Sequence, residues 1–131
     1  YWNGTAYVVG STKVSIGDNA GIGQGIYSVA IGINAGKTSQ QPNAVAIGYQ
    51  AGYTGQGESA VAIGYLAGEI TQSANTIILN ASGVALNYNG GEPSFFVKPI
   101  RNYSYTDAPG DGKELYYSPS TGEIYTKDAN N

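Results

Sequence analysis

The sequence contains no cysteine, no histidine and no methionine. Disulfide scaffolds, zinc sites, thiol nucleophiles and catalytic schemes that need an imidazole are excluded on that ground, and no cofactor is expected. Charge is scarce as well. Asp, Glu, Lys and Arg make up 11% of the 131 residues, against roughly 25% in an average soluble domain. The net charge is -3, so no basic footprint exists to neutralise phosphates and nucleic acid is not an expected partner. Apolar runs are only a few residues long; none reads as a bilayer span or a secretory signal, and membrane insertion is not expected.

What is present is glycine, tyrosine and small aliphatic residues. Glycine is 20 of 131 and tyrosine 12, and the hydrophobic share of 41% is too high for a disordered linker. Self-similarity organises these residues. Ser28-Val-Ala-Ile-Gly-Ile-Asn-Ala-Gly36, Ala44-Val-Ala-Ile-Gly-Tyr-Gln-Ala-Gly52 and Ala60-Val-Ala-Ile-Gly-Tyr-Leu-Ala-Gly68 place Gly32, Gly48 and Gly64 at intervals of 16. A weaker copy begins at Val14, with Gly17 fifteen residues before Gly32, and another at Ile77, with Asn80 sixteen after Gly64. Gln24, Gln40, Gln56 and Gln72 recur at 16 between the motifs.

A unit this short must bury its apolar face against its neighbours, as solenoids do. Val29-Ala-Ile31, Val45-Ala-Ile47 and Val61-Ala-Ile63 read as short strands, β-branched at their outer positions and ended by glycine. A second strand is expected around Tyr49-Gln50-Ala51 after a bend at Gly48, with Ala51-Gly52 as the next corner. Parallel rungs spaced by about 4.8 Å would give five turns a length of about 24 Å. Val45 and Ile47 point to one side of the strand, and Ala44, Ala46 and Gly48 to the other. Both sides are apolar, so both are expected to be buried. The roll covers only one of them, so a further copy of the chain is expected on the other. Which side faces inward is open at this level.

The Ala-Val-Ala-Ile-Gly-x-x-Ala-Gly units resemble the head repeats of YadA-like trimeric autotransporter adhesins, over about residues 12–83. The resemblance implies a homotrimer of left-handed parallel β-rolls with the repeated strands near the threefold axis. Such repeats also occur in fibres of phages and large DNA viruses. The expected fold is therefore all-β: a parallel β-roll or β-solenoid of about five 16-residue rungs, then a small β-hairpin module. The divisions expected are a lead-in strand at 1–11, the roll at 12–87 and a β-rich C-terminal module at 88–131. In the last, Phe95-Phe-Val-Lys-Pro-Ile-Arg101 reads as an edge or crossing strand interrupted by Pro99. Leu115-Tyr-Tyr-Ser118 and Glu123-Ile-Tyr-Thr126 flank the loop Pro119-Ser-Thr-Gly122 as a hairpin would. This part is similar, more loosely, to segments that follow such repeats in viral fibre proteins.

Several residue groups suggest chemistry, and each also has a structural reading. Glu58 and Glu69 on adjacent rungs suggest a carboxylate pair, but neither recurs with a partner, and no enzyme is expected. Asp107, Asp111 and Glu114 lack the spacing of a calcium loop and read as a turn. Gly21-Ile-Gly-Gln-Gly25 superficially matches a phosphate loop, yet no helix follows it. The glutamine series, Gln40 and Gln56 at its centre, reads as a hydrogen-bonded ladder rather than a binding stripe. Thr38, Thr54 and Thr71 raise an ice-binding array, but they are expected in corners. Asn3, Asn80 and Asn102 head glycosylation sequons. Trp2, Tyr103, Tyr105, Tyr116, Tyr117 and Tyr125 lie at the non-repeating ends and are the expected contacts to a glycan or protein on a host cell, with end-capping as the structural alternative. The expected role is attachment of a virus particle to its host from the virion surface. A bacterial adhesin head, a structural spacer and a polysaccharide depolymerase are the alternatives.

Overall fold

The structure is a computed structural model that describes residues 12–100 and 113–128. The expected lead-in strand, together with Trp2, Tyr103 and Tyr105, lies outside the described residues. The chain divides into two compact units, Tyr1–Ile100 and Arg101–Asn131.

The first unit is a β-solenoid, and no helix occurs among the described residues. Its main sheet is parallel throughout: β1 (Val14–Ile16), β2 (Val29–Ile31), β3 (Val45–Ile47), β5 (Val61–Gly64), β7 (Ile77–Asn80) and β8 (Phe95–Lys98), paired in that order. A second, shorter wall pairs β4 (Thr54–Gln56) with β6 (Ile70–Gln72), and the Gln24–Gln40 and Thr38–Thr54 bridges extend it toward the first rung. Register is strict. Val29, Val45 and Val61 lie opposite one another, as do Ile31, Ile47 and Ile63.

The residues at the matching inner register of β2, β3, β5 and β7 point into the roll. Ala30, Ala46, Ala62 and, at the same place, Ile78 are completely buried. With Ala35, Ala51 and Ala67 they form the core. Three consecutive rungs carry a methyl group at this register, and the next two carry the larger Ile78 and Phe96. At the ends of β1, β2, β3 and β5 the chain turns with a glycine of positive φ: Gly17, Gly32, Gly48 and Gly64. Gly48 has φ 127, and a Cβ on it would stand 2.6 Å from the carbonyl oxygen of Gly64. No other residue fits between those two rungs.

Residues 49–53 form a turn, and the second strand expected at 49–51 lies at Thr54–Gln56 instead. The backbone explains the displacement. Gly48, Gln50 and Gly52 all adopt positive φ (127, 52 and 56), which no extended strand tolerates. Hydrogen bonds run along the solenoid instead, from Gln50 N to Ile33 O (2.9 Å) and from Gly52 N to Ala67 O (2.9 Å).

The sheet also outlasts the 16-residue period. β8 pairs in parallel with β7, Asn80 opposite Lys98, so the last turn is 18 residues long and the roll's sheet does not stop at residue 87. Phe95–Lys98 is an edge strand that ends before Pro99, as proline requires. Asn80 accommodates the change of period. Its side-chain Nδ2 donates to Tyr65 O and to Val84 O, both at 2.7 Å, and its Oδ1 accepts from Ser82 N at 3.1 Å. On the preceding rungs the backbone amide two residues after the glycine makes the first of these bonds, as Leu66 N does to Tyr49 O (3.0 Å). Tyr88 and Phe96, with ring centroids 4.6 Å apart, pack against the alanine core from this last turn.

In the second unit, β9 (Lys113–Tyr117) pairs antiparallel with β10 (Ile124–Asp128). Ser118 N donates to Glu123 O (2.9 Å) and Gly122 N to Ser118 O (2.8 Å), closing the connection between them.

Candidate functional site

With alanine filling the interior, the Val and Ile at the outer strand positions point out of the roll. Val29 and Ile31, Val45 and Ile47, and Val61 and Ile63 form two files across the sheet. Val14 and Ile16 extend them at one edge, and Ile77, Leu79, Phe95 and Val97 at the other. Ile16 is 59% exposed, Ile63 39% and Phe95 50%. Every other position along six strands is thus a large aliphatic or aromatic side chain with at least part of its surface in water. Contiguous apolar faces of this kind mark interaction sites on soluble proteins.

The glutamine ladder lies inside the roll. Gln40 Nε2 donates to Gln56 Oε1 (3.0 Å), and Gln56 Nε2 donates to Gln72 Oε1 (3.1 Å). The same amides bond the strands beside them: Gln56 Nε2 reaches Val45 O at 2.8 Å and Gln72 Nε2 reaches Val61 O at 3.0 Å. All four glutamines are buried, so none offers an amide to a ligand. Glycine makes room for the amides, since a Cβ on Gly52 would stand 2.6 Å from Gln56 Oε1. Gln24 stands apart from the stack. Its Oε1 accepts from Ser15 Oγ (2.8 Å), and its Nε2 serves Val14 O and Ser28 O (2.9 and 2.8 Å). Gln40 Oε1, the atom it would otherwise reach, has no partner. The backbones of Gln24 and Gln40 are bridged like their neighbours, so it is the Gln24 side chain alone, held by Ser15, Val14 and Ser28, that leaves the stack.

Other candidates resolve in the same way. Gly21, Gly23 and Gly25 donate their amides to Ala35, Lys37 and Gln40 of the next rung at 2.9, 2.8 and 2.7 Å, so the segment presents none of them to a phosphate. Glu58 follows β4 whereas Glu69 precedes β6, which puts them beyond opposite ends of a parallel pair. No cluster of three or more acidic side chains suited to a metal ion occurs among the described residues. Asn80 is buried with its amide engaged in both directions, closing its sequon in the folded chain. Asn3, Asn102, Asp107 and Asp111 lie outside the described residues. Thr54 lies in a strand, contrary to the expected corner, and pairs with Thr38. The neighbouring rung carries Ile70 there, so the threonine file is only two residues long.

Of the expected contact residues, the structure describes Tyr116, Tyr117 and Tyr125. Tyr116 and Tyr125 are directly opposite across β9 and β10, their rings stacked with centroids 5.9 Å apart. Such a cross-strand pair supports the two strands themselves. Tyr117 lies on the other face with Leu115 and Ile124, and all three are exposed. Sequence reasoning passed over one aromatic feature. Tyr49 and Tyr65 follow Gly48 and Gly64 on consecutive rungs, with centroids 5.5 Å apart and planes 12° from parallel. Their 16-residue spacing was the available signal. Nearby in the chain, Lys37 Nζ stands 5.5 Å from the centroid of Tyr53.

No protein-family model matches the chain, and neither a curated protein nor a solved structure does.

Proposed function

We propose that this chain is a non-enzymatic, homotrimeric fibre or adhesin module that attaches a virus particle to a host cell surface, through glycans. The observation that carries the reading is the outward file of Val, Ile, Leu and Phe along the whole parallel sheet. Fully burying one such side chain contributes about 1.5–3 kcal/mol, so a face with two of them per strand favours association strongly. Copies related by an axis parallel to the roll bring rung against equivalent rung, and closing the ring leaves no copy unpartnered. The choice of three copies, and of a left-handed roll, rests on the resemblance of the repeats to YadA-like heads. A small β-hairpin module built on β9 and β10 would then be displayed three times. Weak contacts made three at a time gain avidity well beyond one contact.

Tyr117 is the most discriminating probe of host contact, because it is exposed and is not half of the stacked pair. Tyr117→Ala and Tyr103→Ala are expected to abolish retention on host cells and on a glycan array while the assembled mass stays the same. Full retention by both variants contradicts the choice of contact residues. An assembled protein that binds no host surface at all would be a spacer, and one that releases reducing ends from host polysaccharide would be a depolymerase.

A further inference from the structure

Side chains at equivalent places on successive rungs of a solenoid stand one above another, and two of them here are phenols. The pairing of Val45 with Val61 and of Ile47 with Ile63 fixes the register of the strands that lead into Tyr49 and Tyr65. The bond from Leu66 N to Tyr49 O (3.0 Å) holds the register beyond the glycines. The rings are 5.5 Å apart and nearly parallel, and each is a little under half exposed, 43% for Tyr49 and 45% for Tyr65. Cysteine and methionine, the usual first casualties of oxidation, are absent, and there is one tryptophan. Trp2 lies outside the described residues, and among those described tyrosine is the side chain most readily oxidised.

The geometry points to a modification site: we infer that Tyr49 and Tyr65 are joined as dityrosine when a one-electron oxidant, a haem peroxidase supplied with hydrogen peroxide, acts on the protein. Each phenol loses one electron and one proton to give a phenoxyl radical. The two radicals couple between ring carbons ortho to the oxygens, forming one carbon–carbon bond. The hydrogens on those carbons then move to the oxygens, restoring both phenols. The protein loses two hydrogen atoms in all, and one peroxide takes up two electrons and two protons to become two waters. Rings held face to face need no encounter step, which raises their effective concentration far above that of separate molecules. Tyr53 is less suited, because the Lys37 ammonium beside its ring opposes loss of an electron. Tyr27 is more exposed, but the next rung carries Asn43 at the same place. The product is a covalent staple between consecutive rungs in a chain that has no disulfide to offer.

The test uses the whole chain, mixed from isotope-labelled and unlabelled copies and treated with peroxidase and limiting peroxide. Digestion should yield a peptide pair joined through residues 49 and 65, lighter by two hydrogens, with both halves carrying the same label. Tyr49→Phe and Tyr65→Phe should each remove that peptide pair, whatever forms between the stacked Tyr116 and Tyr125, while Tyr116→Phe leaves it in place. The cross-linked roll should also unfold at higher urea concentration than the untreated protein. Mixed-label pairs would mean that the link joins two copies. Either that result, or links only at other tyrosines, overturns the proposal.

Discussion

Gln56 shows how much one polar side chain does inside a roll this narrow. It accepts from Gln40, donates to Gln72 and holds the carbonyl of Val45, all without contact with water. Gln56→Leu keeps the approximate volume but leaves several buried groups without partners, each worth about 1–3 kcal/mol. Urea denaturation should show a loss of at least about 2 kcal/mol, and an unchanged midpoint would mean that the ladder is incidental. Gly48→Ala should cost as much or more, since it adds a methyl group against the Gly64 carbonyl at a φ that strains any side chain. The same assay reads it. At this scale the sequence was partly transparent. The 16-residue spacing of the glutamines pointed to a ladder, because an amide both donates and accepts and so can repeat indefinitely. The unpaired Gln40 Oε1 was not foreseeable, because Gln24 keeps the 16-residue spacing and only its side-chain partners differ.

At the scale of the strand, the question is which face turns inward. Val-Ala-Ile is apolar on both sides, so alternation alone gave no direction. Burial shows it: Ala30, Ala46 and Ala62 are completely buried, and the Val and Ile on either side of them keep part of their surface in water. Ile47→Asp places a carboxylate in the outward file, and burying it unpaired would cost several kcal/mol. The variant should lose its assembled mass in light scattering, whereas Thr38→Asp, on the opposite wall, should keep it. If both variants assemble, the outward file is not the interface. Two misreadings arose at this scale. The second strand was expected too early because Tyr49-Gln50-Ala51 has strand-like composition, and nothing in it reveals that Gln50 is left-handed. The last turn was assigned to the next module because its 18 residues break the period and lack the glycine motif. Phe95-Phe-Val-Lys98 alone signalled that strand pairing continues.

For the whole molecule, the account depends on a sheet that is finished on its inner side and unfinished on its outer side. The alanine core, glutamine stack and aromatic pair of the last turn satisfy the interior completely enough to form a roll. They leave the Val and Ile files partly in water, and the proposed trimer covers them with further copies. Everything proposed about attachment follows from that, since repeated presentation of a modest contact requires several chains held side by side. Sedimentation equilibrium of the purified chain at micromolar concentration tests it most directly. A single species of three times the chain mass is the expected result, and a folded species of one chain mass would contradict it.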